Sequence, residues 1–211
     1  MRAIVVSGGY KPSKELLLSY IKKDDFIIGV DKGCNCLYEY EIEPDMILGD
    51  FDSAKKEVIE SFKAKGTKIL TFNPEKDYTD TDLGYEKAKE VGATEILFFG
   101  ATGSRVDHSL GNVGILLKSL REEVKTEIID DHNRILLIDK ETTFKGKYGE
   151  LISFHSLSDI VINVNIKGAK YELSNYDMTL LEPRAICNEF IDSDIVISFN
   201  SGIIMVIFPV D

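Results

Sequence analysis

The feature that most constrains this chain is a regular alternation of short apolar runs and amphipathic segments across its first 130 residues. Runs such as AIVV, FIIGV, MILG and EILFF are almost continuously apolar, and each is followed by a segment with helical spacing, such as SKELLLSYIKK. Parallel strands that are buried on both faces have this composition, and helices usually connect them. The pattern predicts an α/β domain in which helices cover both faces of a parallel sheet.

The pattern changes beyond about Thr126. The segment IVINVNI alternates apolar and polar residues, and DIVISFNSGIIMVIFP is typical of two strands around a turn. RILLID and ELISFHS predict further strands, and no later segment has the spacing of a helix of three or more turns. We therefore expect residues 1–130 to form the α/β domain and residues 131–211 a smaller antiparallel β-sandwich or small barrel.

Charge and cysteine use exclude several classes of protein. The net charge of −11 argues against a nucleic-acid partner, because such proteins neutralise phosphates with clustered Lys and Arg. The three cysteines, Cys34, Cys36 and Cys187, have no CxxC spacing, so neither a disulfide framework nor structural zinc is expected. Neither a signal-peptide pattern nor a membrane-spanning run is present in the sequence. We expect a cytoplasmic protein without membrane association.

Acidic residues concentrate directly after the apolar runs of the first domain. They are Asp31, Asp50, Asp52, Asp77, Asp80, Asp82 and Asp107. In an open parallel sheet, ligands bind outside the carboxyl ends of the strands, where these residues fall. Oxygen ligands without His or Cys select a hard cation, and Mg²⁺ commonly takes one or two carboxylates together with substrate phosphates. The sequence predicts a Mg²⁺ site for a phosphorylated ligand.

The segment GDFDS illustrates this prediction and its alternative. If the chain is still extended there, Asp50 and Asp52 share one face and Phe51 points the other way. Two like charges about 5 Å apart cost about 3 kcal/mol at an effective dielectric of 20, and a bound cation would offset that cost. The alternative is helix capping, with Ser53 as the N-cap of a helix over residues 54–65. We favour a site, because a cap needs only one side chain.

The loop GATGSR could hold a phosphate through the backbone amides of Gly100, Gly103 and Ser104, with Arg105 gripping it. A solvated Arg105 is an equally good interpretation. Neither GxxxxGK[ST] nor GxGxxG occurs in the sequence, which disfavours a Walker or Rossmann site.

Two further features have structural interpretations. Thr79 and Asp82 have capping-box spacing, so we interpret Asp82 as a helix-start residue. The segment SGGY at residues 7–10 is interpreted as a turn rather than as a nucleotide site.

Four motifs carry a resemblance to a known family. VDKGCNCL, PDMILGDFDS, EKDYTDTDL and GATGSRVDHSLGN occur in this order within residues 30–112 and closely resemble the thiamine pyrophosphokinase family. IKGAKYELSN and ICNEF resemble its C-terminal thiamine-binding domain more loosely. The resemblance implies transfer of a pyrophosphoryl group from ATP to the hydroxyl of thiamine, giving thiamine diphosphate and AMP. It also implies a homodimer whose sites lie between the α/β domain of one subunit and the β domain of the other.

The resemblance implies residue roles as well. Mg²⁺ on the ATP phosphates would be held by Asp50, Asp52 and Asp80. The nucleotide pocket would be shaped by Asp31, Asn35, Thr79, Ser104 and Arg105. Thiamine would be bound by Asp107 together with Asn188 and Ser198 of the partner subunit.

The chain departs from some relatives in having no Trp to stack on thiamine. Met205 would take that place, or it is a core methionine of the last strand. Two alternative functions also stay open on the sequence. One is a Mg²⁺-dependent nucleotide phosphohydrolase that uses the same aspartates, and the other is a thiamine- or nucleotide-binding module without turnover.

Overall fold

A computed structural model of the chain describes residues 1–73 and 78–210. The chain divides into two compact units, Met1–Asp131 and His132–Asp211. No helix within the described residues has the length and apolar character needed to cross a membrane. The first unit is built on a parallel sheet with helices, and the second on antiparallel strands.

The first unit is built on six strands that all pair in parallel. They are β1 (Arg2–Val6), β2 (Phe26–Val30), β3 (Met46–Gly49), β4 (Lys68–Thr71), β5 (Glu95–Phe99) and β6 (Lys125–Ile129). Five of them are the apolar runs recognised in the sequence. β6 was not predicted, because its centre carries the buried Glu127 and the run is therefore not continuously apolar.

Within residues 1–73 and 78–131, five helices connect and cover these strands. They are α1 (Lys14–Tyr20), α2 (Gly33–Glu39), α3 (Lys56–Ala64), α4 (Asp80–Glu90) and α5 (Val106–Arg121). On one face, Leu17, Leu37 and Phe62 of the first three helices share a core cluster with alternate strand residues such as Ile4 and Ile47. On the opposite face, Gly84 of α4 lies against Val5 and Val30. The expected α/β domain with a parallel sheet is confirmed.

The order of the strands locates a crevice in this unit. The sheet runs β6-β5-β1-β2-β3-β4, so the chain moves outward from β1 to β4 and then returns to β5 on the other side of β1. The connections that leave β1 and β5 at the carboxyl edge therefore run in opposite directions, one towards β2 and the other towards β6. Such a topological switch point is where open α/β sheets bind ligands.

The second unit is an antiparallel sandwich of eight strands. They are β7 (Asn133–Ile138), β8 (Thr142–Phe144), β9 (Leu151–Ser156), β10 (Ile160–Lys167), β11 (Leu173–Thr179), β12 (Ala185–Glu189), β13 (Ile195–Ser198) and β14 (Ile204–Pro209). One sheet has the order β12-β9-β14-β7 and the other β11-β10-β13-β8. Apolar side chains from both sheets, including Phe154, Val161, Ile197 and Val206, form its core. The predicted β-sandwich is confirmed.

The last two strands differ from the simple turn-linked pair that the sequence suggested. β13 pairs with β10 and β8, whereas β14 pairs with β7 and β9, so the turn between them passes from one sheet to the other. Ile195 and Ile197 enter the core from one sheet and Ile204 and Val206 from the other. Burying both apolar faces against each other favours this crossing over a two-stranded hairpin.

Candidate active site

Three aspartates meet at the carboxyl end of the parallel sheet. Asp31 directly follows β2, and Asp50 and Asp52 follow β3, whose Leu48 pairs with Val30. One carboxylate oxygen from each of the three lies within 4.8 Å of the others. The convergence follows from topology, because adjacent parallel strands end at the same edge. An all-oxygen set of this kind suits a hard divalent cation.

The local geometry of Asp50 and Asp52 is not the extended one assumed from the sequence. β3 ends at Gly49, and Phe51 has a φ of +59°, in the left-handed region. Side-chain alternation therefore does not apply, and that premise was wrong. The Asp52 amide instead donates to Asp50 Oδ1 at 3.0 Å, and Phe51 packs against the core of the first unit. A strained backbone at a bulky residue persists only where its surroundings impose it, and it is common at functional sites.

Asp31 carries a buried carboxylate oxygen. Its Oδ1 is buried and has no hydrogen-bond partner among the described residues, while its Oδ2 accepts a hydrogen bond from the Ser53 hydroxyl. A buried carboxylate oxygen without a partner is costly, so this atom calls for a cation or a donor from a ligand. The alternative in which Ser53 is a helix N-cap is wrong, because α3 begins at Lys56, after the N-cap residue Lys55.

The charges of the cluster repel one another. The pKa of Asp52 is raised, chiefly by the negative charge of Asp50, with further contributions from desolvation and from Asp31 and Asp80. A bound cation would remove this repulsion. The residues present therefore fit a divalent metal ion.

A cavity of about 490 Å³ opens beside the aspartates, at the switch point of the sheet. Its walls come from the loops after β1, β2, β3 and β5 and from the first residues of α4 and α5. Of the residues expected at the nucleotide or the metal, those that line it are Asp31, Thr79, Asp80, Ser104 and Arg105. His108 and Asn112 of α5 also line it, as do Ser7, Gly8, Gly9 and Tyr10.

Thr79 and Asp80 are held at one wall by the start of α4. Thr79 is the N-cap residue, and its hydroxyl accepts a hydrogen bond from the Asp82 amide at 3.2 Å. The helix-start interpretation of Asp82 is confirmed, and its carboxylate also pairs with Lys118 at 3.0 Å. Asp80 is the first residue of the helix, so the fold fixes its backbone. Asp77, another predicted member of the acidic group, lies outside the described residues.

A further wall of the cavity is formed by a backbone pairing between the loops after β1 and β5, which was not predicted from the sequence. The Gly9 amide donates to the Gly100 carbonyl at 2.8 Å, and the Tyr10 amide donates to the Thr102 carbonyl at 2.7 Å. A Cβ on Gly9 would lie 2.1 Å from the Thr102 oxygen, so only glycine permits this approach. The segment at residues 7–10 is therefore part of the cavity wall and not merely a turn. Consecutive glycines directly after a strand were the available signal.

Arg105 and Asp107 form an exposed ion pair at the start of α5. The Arg105 Nη2 lies 2.6 Å from Asp107 Oδ2, and Nε lies 3.2 Å from Oδ1. The hydrogen bonds from Arg105 are the main cause that lowers the pKa of Asp107 to about 2. Asp107 is therefore ionised throughout the neutral range and is a weak base.

The remaining predicted residues have other surroundings. Asn35 does not line the cavity; its Oδ1 accepts from the Lys55 amide at 3.0 Å and thus fixes the loop that carries Asp50 and Asp52. In the second unit, Ser198 ends β13 and pairs with Asn165. Met205 is partly buried but does not belong to the core cluster that includes its neighbours Ile204 and Val206.

Asn188 is buried in β12, and its side chain already has partners. Its Nδ2 donates to the Tyr171 carbonyl at 2.7 Å, and its Oδ1 accepts from the amides of Tyr171 and Glu189 at 3.0 and 2.9 Å. Both ends of the amide are therefore used by the backbone of the second unit. This is the pattern of a residue that supports the fold.

Comparisons with known proteins agree with these features. A family model described as "Thiamin pyrophosphokinase, catalytic domain" matches residues 17–128, and one described as "Thiamin pyrophosphokinase, vitamin B1 binding domain" matches residues 135–204. Thiamine pyrophosphokinase of Bacillus subtilis is 34% identical over 212 residues, covering 98% of each chain.

Solved structures of thiamine pyrophosphokinases are similar to this chain over its full length. The crystal structure of thiamine pyrophosphokinase from B. subtilis matches with a TM-score of 0.90 at 34% identity, and the match covers 100% of both chains. The enzyme from Geobacillus thermodenitrificans matches with a TM-score of 0.87 at 32% identity, over 100% of this chain and 98% of that one.

Proposed function

This chain belongs to the thiamin pyrophosphokinase family, and we propose that it transfers a pyrophosphoryl group from ATP to the hydroxyl of thiamine in a Mg²⁺-dependent reaction. The products are thiamine diphosphate and AMP. The observation that carries the proposal is the cluster of Asp31, Asp50 and Asp52 at the edge of a cavity large enough for a nucleotide.

We assign the metal to the carboxylates of this edge. Asp50 and Asp52 are the principal ligands. The Oδ1 of Asp31, which has no hydrogen-bond partner in the part of the chain that the structure describes, supports adding that residue to the set. Asp80 is close enough to influence the pKa of Asp52 and is the fourth carboxylate. Bound Mg²⁺ would neutralise the charge that spreads over the phosphates during transfer.

The other residues position the reactants. Thr79, Ser104 and Arg105 line the cavity and are assigned to ATP, with Arg105 as the cation that meets a phosphate. Phosphoryl transfer depends mainly on alignment and charge stabilisation, so a well-walled cavity is what the reaction requires. A carboxylate, Asp80 or Asp107, would orient the thiamine hydroxyl or accept its proton; the ion pair with Arg105, which holds the pKa of Asp107 at about 2, makes Asp107 a weak base for that step.

We propose that the active form is a homodimer, as the family resemblance implies, with thiamine bound between Asp107 and the second unit of the other chain. Of the residues expected there, Ser198 of the partner subunit is the stronger assignment. The internal hydrogen bonds of Asn188 argue that this residue shapes the pocket rather than contacting thiamine. Sedimentation at micromolar concentration tests the dimer, and a monomer that is fully active would exclude this arrangement.

The central test follows AMP and thiamine diphosphate in the same samples, with ATP and Mg²⁺ and with or without thiamine. We expect equal amounts of both products, formed only when thiamine and the metal are present. AMP release that does not depend on thiamine would instead indicate a nucleotide phosphohydrolase. Binding of both ligands without AMP would indicate a binding module.

A further inference from the structure

The segment from Gly100 to Thr102 is held by its carbonyl groups, each with a different donor. The Gly100 carbonyl accepts from the Gly9 amide at 2.8 Å, and the Thr102 carbonyl accepts from the Tyr10 amide at 2.7 Å. Between them, the Ala101 carbonyl accepts from the side-chain Nδ2 of Asn112 at 2.6 Å. Three consecutive acceptors are thus fixed from two directions, the loop after β1 and helix α5.

Asn112 is an unusual residue for its position. It lies in the second turn of α5, only 8% of its surface is exposed, and the helix positions around it that face the sheet, such as Ile115 and Leu116, are apolar. Asparagine is a poor residue for a helix interior, and a buried amide is unfavourable unless it is hydrogen-bonded. Its bond reaches back 11 residues along the sequence to the loop that precedes its own helix. The contact joins the helix to the loop and adds nothing to the helix itself.

The segment that follows the tethered carbonyls carries the residues assigned to ATP. Gly103, Ser104 and Arg105 come directly after Thr102 and line the cavity. Fixing the carbonyls before them limits the conformations of this loop before a nucleotide arrives. Such pre-ordering raises affinity because less conformational entropy is lost on binding.

We propose that Asn112 is a positioning residue for the nucleotide, acting through the Ala101 carbonyl and not through the chemistry of transfer. This inference rests on the proposed function of the cavity. The side chain holds the loop at residues 100–105 against the wall formed by Gly9 and Tyr10, and thereby sets the affinity for ATP while leaving that for thiamine nearly unchanged.

The test compares two single changes on α5. Asn112→Leu keeps the size of the side chain, adds no charge and removes the donor to Ala101. Ser119→Ala is the matched control, because Ser119 is also buried on α5 and its hydroxyl also donates to a carbonyl, that of Leu116 at 2.8 Å within the same helix. Both variants lose one buried hydrogen bond, but only the first loses a tether of the cavity loop.

Hydrogen exchange of the ligand-free protein gives the direct readout. The amides of Gly9 and Tyr10 are protected by the carbonyls on either side of Ala101, so they report whether the segment stays in place. We expect both amides to exchange about tenfold faster in Asn112→Leu and at the wild-type rate in Ser119→Ala. A residue that only touched the ligand would not change exchange in the free protein. Unchanged exchange in Asn112→Leu would overturn the proposal, whatever the activity of the protein.

Binding of a non-hydrolysable ATP analogue with Mg²⁺ is measured next. We expect the dissociation constant to rise about tenfold in Asn112→Leu, with less than a twofold change in KM for thiamine, and no change in Ser119→Ala. Equal losses for both substrates would contradict a positioning role. If the wild-type chain does not bind the analogue, the proposed function fails, whereas the exchange result still decides the role of Asn112. Should Asn112→Leu not fold, Asn112→Ser, which is too short to reach Ala101, is judged by the same two measurements.

Discussion

The two units use buried and partly buried polar side chains in opposite ways. At the edge of the parallel sheet, Asp31 keeps an oxygen without a partner among the described residues, and Asp50 and Asp52 repel each other. In the sandwich, Asn165 donates to the Asn163 carbonyl at 2.8 Å and accepts from an amide at 3.0 Å, and Asn188 likewise uses both ends of its amide. Buried polar groups without partners indicate where a ligand binds. Polar groups whose hydrogen bonds are all made within the protein stabilise the fold.

The largest expected effect comes from removing one negative charge from the cluster of Asp31, Asp50 and Asp52. Asp52→Asn should lower kcat by about a thousandfold or more, because a metal ligand is lost at the reacting phosphates. The melting temperature without metal should stay the same or rise, since the charge repulsion with Asp50 is reduced. Coupled product assays and thermal melts test both statements, with the exposed Asp24→Asn as control. Activity within tenfold of wild type would remove Asp52 from the metal set.

The second change tests the opposite behaviour in the sandwich. Asn188→Ala leaves the Tyr171 carbonyl and two amides without their partner, so the free energy of unfolding should fall by about 2–3 kcal/mol. Urea denaturation measures the loss, and kcat below the melting transition should change little. If KM for thiamine rose sharply while stability was kept, Asn188 would be a ligand of thiamine and the contrast between the units would break.

A smaller effect is expected on the outer face of α5. Gly114 has open space where a Cβ would lie, and its backbone is helical, so Gly114→Ala should raise the free energy of unfolding by about 0.5–1 kcal/mol. Denaturation in urea again gives the value. A gain of this size would show that α5 behaves as an ordinary exposed helix at Gly114, whereas at Asn112 the same helix holds the cavity loop. A loss of stability would mean that another surface covers this face.

The smallest effect concerns His155, the exception in the sandwich, whose Nδ1 is buried without a partner among the described residues. Burial lowers its pKa below the ordinary value of 6.5. Below pH 6.5 the unfolded chain gains a proton that the folded His155 resists, so stability is lost as the pH falls from 7 towards the folded pKa. His155→Gln should flatten this part of the stability profile, as measured by denaturation at several pH values. A profile identical to that of wild type would show that another group causes the loss.

The fold followed from the sequence wherever burial alone determined the structure. Continuous apolar runs identified five of the six parallel strands, and alternation identified the sandwich. The errors lie where polar contacts decide. The buried Glu127 concealed β6. Ser53 is not the cap of α3, which begins at Lys56; its hydroxyl instead donates to the carboxylate of Asp31, in the loop after β2. The left-handed conformation of Phe51 has no signature in its residue type.

The convergence of the three aspartates could be predicted from the topology of a parallel sheet. Residues that follow neighbouring parallel strands converge whatever their local conformation, so Asp31, Asp50 and Asp52 came together even though the assumed alternation was wrong. The wall formed by the loops after β1 and β5 was not predictable in this way. Gly9 and Gly100 are 91 residues apart, and the role of Asn112 depends on a carbonyl that any residue supplies. Contacts with backbone groups of this kind cannot be predicted from the residue type, because every residue carries the same carbonyl.

The place of β14 in the sandwich has a consequence for how the chain is made. It is the last strand of the described chain, yet it lies between β7 and β9 in the interior of its sheet. On the ribosome, all six strands of the first unit emerge before the sandwich begins, and that unit is free to fold early. The sandwich, by contrast, lacks an inner strand until residues 204–209 have been synthesised, and until then the facing edges of β7 and β9 are exposed to pairing with other chains.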